Sequence, residues 1–161
     1  MSSLFVGIDP GFTDTAIVVI DEDGKVIDEV HVSVTDKDIG GDCDICRIIE
    51  YESRIRGVLM PFASNPDCWM AVEKPLGANK GKGVAVQWAY TSIILAVAMH
   101  CDDMKRLAYH TPSKIKKFIT GKGNSKKELM LKEIYKRWGF ETDNHNTGDA
   151  YAIAQLVRSE A

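Results

Sequence analysis

Apolar and polar positions alternate in short, well-punctuated runs over the first third of the chain. Leu4 to Asp9 is a compact apolar run, stopped by Pro10-Gly11, and Thr15 to Ile20 is a second run rich in β-branched residues. Both read as buried strands. Asp21-Glu22-Asp23-Gly24 is a hairpin turn, because Asp-Gly tolerates the positive φ such turns need, and Lys25 to Ser33 alternates as a third strand. The chain therefore opens with three antiparallel strands. Residues 36 to 44 are polar and Gly-rich and predict a loop. Ile45, Ile48, Ile49, Ile55, Val58, Leu59 and Phe62 then recur at helical spacing, giving a helix of about 15 to 20 residues that ends before Asn65-Pro66.

Trp69 to Glu73 is a short apolar run closed by Lys74-Pro75, a central strand with a carboxylate at its end. Gly77 to Gly83 predicts a flexible loop. Val84 to Met99 is continuously apolar, too short for a membrane span and suited to a helix buried on several faces or in a dimer interface. Arg106 to His110 predicts a short strand, and Thr111-Pro112 starts a helix to about Thr120 that Gly121-Lys122-Gly123 ends. Ser125 begins another helix, with Leu129, Leu131, Ile134, Tyr135 and Trp138 as its apolar positions, stopping at Gly139. The final helix runs from Asn146 or Thr147 to Arg158 with Ala150, Ile153, Ala154 and Val157 inward. There is no repeat, low-complexity tract or linker, so a single α/β domain with a mixed sheet accounts for the chain.

Composition adds little to this. The 161 residues, 45% hydrophobic and 27% charged, suit one soluble domain. No secretory signal or membrane span is visible, which predicts a cytoplasmic protein. Of Cys43, Cys46, Cys68 and Cys101 only the first two are close, and no second Cys or His pair stands at zinc spacing, so reduced thiols are expected. Charge is more telling. The net value is −3, yet between Ser113 and Trp138 lie Lys114, Lys116, Lys117, Lys122, Lys126, Lys127, Lys132, Lys136 and Arg137 against only Glu128 and Glu133. A cationic patch on an acidic protein points to a polyanionic partner.

Three carboxylates stand out for their settings. Asp9 ends a buried strand before a Pro-Gly turn, Glu73 ends another, and Asp149 lies within Gly148-Asp149-Ala150-Tyr151-Ala152-Ile153-Ala154, whose small residues let a helix approach a sheet closely. Ionised carboxylates in such places must be paired or coordinate a metal. Carboxylates on separate elements suit a hard divalent cation such as Mg2+, and two-ion phosphodiester hydrolysis needs no side-chain nucleophile. Taken singly, each also fits a plainer role: a turn residue, an ion-pair partner of Lys74 or Lys82, a surface helix residue.

The ordered set resembles the RuvC-type Holliday junction resolvases. Gly7-Ile8-Asp9-Pro10-Gly11 looks like their opening motif, Ala71-Val72-Glu73 like their second acidic strand, and Gly148 to Ala154 like their last motif. Thr111 to Lys116 and Gly121 to Lys127 resemble their basic DNA-contacting segment. The similarity runs from about residue 4 to 157. It implies an RNase H-like fold, a homodimer, and symmetric cleavage of four-way DNA junctions with two Mg2+ ions, Mn2+ substituting. Asp9, Glu73 and Asp149 carry over as metal ligands, and Lys116 and Lys127 as phosphate contacts. With them, Lys80, Lys82, Lys122 and Lys126 complete the expected DNA-binding set.

Two departures matter. The family places Asp or His three residues before the last acid; this chain has Asn146, whose neutral carbonyl can still ligate a hard cation, with His145 and Asp143 as alternatives and Asp143 or Asn144 as a possible helix cap. The family's aromatic wedge after the second acidic strand is replaced by Lys74-Pro75-Leu76, which favours a broader branched- or flap-DNA nuclease as the second reading. A non-catalytic junction binder would not need all three acids. An actin-like ATPase or sugar kinase would need a second phosphate loop and a nucleotide site in a second domain, more than 161 residues supply, and Gly77 to Gly83 and Gly121 to Lys127 also lack the Gly-x-x-x-x-Gly-Lys-Ser/Thr spacing of a P-loop.

Overall fold

The structure is a computed structural model in which residues 3–11, 13–75, 82–99 and 107–161 are described. Among these residues five strands and six helices follow in the order β1 (Leu4–Asp9), β2 (Thr15–Ile20), β3 (Val26–Val32), α1 (Asp36–Ile39), α2 (Asp44–Ala63), β4 (Cys68–Glu73), α3 (Lys82–Ala98), β5 (Leu107–His110), α4 (Pro112–Thr120), α5 (Lys127–Trp138) and α6 (His145–Glu160). The expected loop over 36 to 44 thus contains a short helix. Thr35 and Asp38 close a capping box around it, which offsets the helix-breaking character of the flanking glycines.

The sheet order is β3-β2-β1-β4-β5. β1 pairs antiparallel with β2, and β2 with β3, while β4 is parallel to both β1 and β5. Alternation along the strands divides the core. Val6, Ile8, Met70 and Val72 face α2 and α3 in one layer, and Phe5, Ala71 and the buried positions of α6 form the other. Residues at odd positions of β1 and β4, Asp9 and Glu73 among them, therefore point to the α6 side.

The inward face expected for α6 holds, since Ala150, Ile153, Ala154 and Val157 are all buried. In α5 the assignment shifts: Met130 and Ile134 are the buried positions, while Leu129 and Tyr135 face outward. In α2, Ile55 and Leu59 are buried, but Ile45 and Ile49 remain 72% and 64% exposed. The opposite face of the same turns is engaged, with Ile48 against the core and Arg47 donating to the Val34 carbonyl at 2.7 Å, so Ile45 and Ile49 form an outward stripe. α3 starts at Lys82, inside the segment expected to be a loop. No helix among the described residues is long and apolar enough to cross a membrane.

Candidate active site

Register places the first two acids side by side. Ile8 pairs with Val72 across the parallel β1/β4 ladder, so the next position on each strand brings Asp9 beside Glu73 at the carboxyl ends of adjacent strands. The turn after Asp9 is tight: the Gly11 N–H donates to the Asp9 carbonyl at 3.1 Å, and a Cβ on Gly11 would lie 2.1 Å from the Asp14 carbonyl oxygen. Gln87 of α3 fastens the turn from the other side, donating from Nε2 to the Pro10 carbonyl at 2.9 Å.

Asp149 arrives from above. α6 lies directly on β1 because Gly7 has no side chain: a Cβ there would meet the Ala150 carbonyl oxygen at 2.0 Å and the Ala154 nitrogen at 2.4 Å. Gly7, Ala150 and Ala154 are the small residues of the first and last motifs, and their contact brings Asp149 over the strand ends. The three carboxylates line one cleft of about 280 Å³, together with Gln87, Lys116, Lys127 and Asn146. Asn146 is thus on the cavity wall, whereas His145 and Asp143 do not line it. Asn144 takes the capping role, accepting from the Asn146 and Thr147 N–H groups at 2.9 and 3.3 Å.

The electrostatics match carboxylates crowded without enough counter-charge. Burial pushes the Asp9 carboxyl up to about 7, with Asp149 and Asp14 adding to the rise and Lys127 opposing it. Glu73 rises to about 8 through burial first and then the charges of Asp9 and Asp149, against Lys127 and Lys116. Lys127 Nζ sits 3.0 Å from Asp149 Oδ2. Burial pulls that ammonium down, but the Asp149, Asp9 and Glu73 charges outweigh it and hold it above its ordinary value.

Among the described residues, no three His, Cys, Asp or Glu side chains stand together so as to hold a metal ion by themselves. The acids instead surround an open cleft. That arrangement suits Mg2+, which keeps several waters and shares its remaining positions between one or two carboxylates and substrate phosphates. The donors are all oxygens, and Asp9 and Glu73 are held where their ionised forms are unfavourable, so a divalent cation fits the site. Asp9, Glu73, Asp149 and the Asn146 carbonyl are the groups that would hold it.

The basic residues divide into two sets. Lys116 and Lys127 line the cleft, and Lys122 and Lys126 stand exposed on the α4–α5 turn. This turn is braced by the Thr120 and Ser125 hydroxyls, 2.6 Å apart, and by the Ser125 hydroxyl donating to the Lys122 carbonyl at 2.9 Å. Lys126 is the N-cap of α5 with no side-chain cap hydrogen bond, and Lys127 is its first residue. Cations there oppose the helix dipole, a cost that a bound phosphate would reverse. Lys114 belongs elsewhere, since its Nζ is 2.6 Å from Glu160 Oε1, which ties α4 to the end of α6. Lys80 lies outside the described residues, and Lys82 begins α3. Cys43 caps α2, its sulfur accepting from the Cys46 N–H at 3.2 Å.

Asp14, His31 and Gln87 are cleft residues or their supports that carry no sequence motif. Each is visible only once β1, β3 and α3 are brought together.

An RNase H-like sheet with acids at the ends of its two central parallel strands, and a third acid on the helix across them, defines a nuclease-type fold. A family profile described as "Crossover junction endodeoxyribonuclease RuvC" matches residues 5–156, and the chain belongs to that family. Among solved structures, Thermus thermophilus RuvC is similar at a TM-score of 0.75 with 19% identity, over 98% of this chain and 95% of that one. A T. thermophilus RuvC in complex with a Holliday junction substrate gives 0.74 and 18%, over 97% and 92%. No curated protein matches the chain.

Proposed function

We propose that this protein resolves four-way DNA junctions by paired, symmetric phosphodiester hydrolysis with two Mg2+ ions per site, Mn2+ substituting. The observation that carries this is the convergence of Asp9, Glu73 and Asp149, from three elements, on one cleft whose wall includes Lys116 and Lys127, in a chain of the RuvC family. Asp9, Glu73, Asp149 and Asn146 would hold the divalent ions, which would supply activation of a water and charge stabilisation at the phosphate. The protein's share is positioning. Asp9 and Glu73 are fixed by strand register, Asp149 by the Gly7 contact, and Asn146 adds a neutral carbonyl. Lys116 and Lys127 neutralise the phosphates flanking the cut, while Lys122 and Lys126 hold an arm of the junction from the braced turn.

Two symmetric cuts require two sites. Ile45 and Ile49 lie one helical turn apart on the outer face of α2, an apolar stripe that pairing with a second copy would cover. Ile49→Glu is expected to give a monomer by sedimentation that nicks one strand at a time.

The deciding experiment incubates the protein with labelled four-way, three-way, flap and linear DNAs in Mg2+, alongside Asp9→Asn. Symmetric cuts confined to the four-way junction, lost in Asp9→Asn with binding retained, are the expected outcome. Cutting of flaps at a comparable rate would make this a broader branched-DNA nuclease, and normal cutting by Asp9→Asn would remove the metal reading altogether.

A further inference from the structure

The turn between β1 and β2 reaches the start of α6 through a chain of polar contacts. Asp14 Oδ2 lies 2.7 Å from His31 Nδ1, on the edge strand β3. The other ring nitrogen of His31 lies 3.0 Å from the Thr147 hydroxyl, which donates to Glu29 Oε1 at 2.9 Å. Thr147 is fully buried. Asp14 is therefore held by a histidine that is itself anchored to the first turn of α6. The same Asp14 oxygen accepts from Asn146 Nδ2 at 3.5 Å, the long end of the hydrogen-bonding range.

An asparagine amide has two ends of nearly equal size, and only its oxygen can ligate a cation. Sterics alone do not choose between them. A carboxylate beside the amide does, because it accepts from the NH2 and repels the carbonyl oxygen. We propose that Asp14, held by His31, is a positioning residue for Asn146: it sorts the amide so that its carbonyl oxygen rather than its NH2 is offered to the cleft. The proposal rests on the reading of Asn146 as a cation ligand.

This device answers a question specific to this chain. An Asp needs no sorting, since its two oxygens are equivalent, whereas an Asn at the same position is right only half the time unless a neighbour decides. Asp14 also places a negative charge close enough to be felt at Asp9. A formal charge absent from residue 146 is thus present one hydrogen bond away.

The test is Mn2+ binding followed by the electron paramagnetic resonance of the free ion, with no DNA and no turnover. Asp14→Ala is expected to weaken Mn2+ roughly 10-fold, within the range that loss of a ligand's supporting partner produces. His31→Gln, which can keep only one of the two ring contacts, should give a smaller loss in the same direction. Repeating Asp14→Ala in an Asn146→Asp background separates sorting from bulk charge. Sorting predicts that the loss disappears or reverses there, because the carboxylate has no wrong end and is relieved of Asp14 as a like-charged neighbour. An equal loss in both backgrounds would overturn the proposal, as would unchanged Mn2+ affinity in Asp14→Ala while Asn146→Ala weakens it. If Asn146→Ala itself leaves Mn2+ binding intact, the ligand role of Asn146 fails, and the positioning role with it.

Discussion

At Asp9 the cost of building the site is concentrated in one side chain. Its carboxyl is held near 7 in the folded protein against an ordinary 3.8, chiefly by burial and then by Asp149, and Glu73 is held near 8. For acids shifted upward, the favourable contribution is complete below the unfolded value and is lost as pH rises through the folded one. The metal-free protein should therefore lose stability steadily between about pH 4 and pH 8, from the ordinary values of these acids up to their folded ones. Asp9→Asn removes one of the charges. In EDTA at pH 8 it is expected to raise stability by roughly 1–3 kcal/mol, a value set below the full shift because the cleft is open to water. Urea denaturation at several pH values checks this, and the pH slope should flatten in the variant. Added Mg2+ should reverse the order, stabilising the parent and not Asp9→Asn, because the ion binds the ionised acids. A variant no more stable than the parent in EDTA would mean that the Asp9 charge is already compensated.

Among the elements, the β1–α6 contact decides whether the acids meet. A Cβ on Gly7 would overlap backbone atoms of Ala150 and Ala154, which cannot rotate away as a side-chain tip would. Gly7→Ala should cost about 2–4 kcal/mol, in the upper range of overpacking, and should cut activity further by lifting Asp149 from the strand ends. Calorimetry and single-turnover cleavage of the same preparation separate the two effects. This contact was legible in the sequence because small residues recur in both motifs, just as short apolar runs ending in a carboxylate before a turn made Asp9 and Glu73 legible. Asp14 and His31 were not. One lies in a turn and the other on an edge strand, and their meeting with Thr147 joins residues more than 100 positions apart, 116 in the case of His31 and Thr147. Periodicity has no access to such pairs. The exposure of Ile45 and Ile49 was equally hidden, since helical spacing identifies an apolar stripe without saying whether anything lies opposite it.

For the whole molecule the question is how a chain of net charge −3 holds a polyanion. Charge is sorted by tertiary contacts that sequence clustering alone does not distinguish. Lys114 and Lys116 are neighbours in α4, yet Lys114 is spent on Glu160 while Lys116 lines the cleft. Arg137 is turned onto α4, donating to the Phe118 carbonyl at 3.1 Å. Each lysine that neutralises a phosphate releases about one counterion, so its loss lowers the slope of log K against log salt by about 0.9 on duplex DNA. Lys122→Ala and Lys126→Ala should each lower the slope by close to that amount and weaken junction binding at low salt. Lys127→Ala should do so less, because its ammonium already answers Asp149, and removing it also leaves the acids of the cleft more strongly repelled. Lys114→Ala should leave the slope unchanged and show its effect in thermal stability instead. Fluorescence anisotropy with a labelled four-way junction over a salt series, in Ca2+ to prevent cleavage, measures all four. Equal slope changes for Lys114 and Lys126 would mean that the whole basic segment acts as a diffuse cloud of charge, and the tertiary sorting of the lysines would have no part in binding.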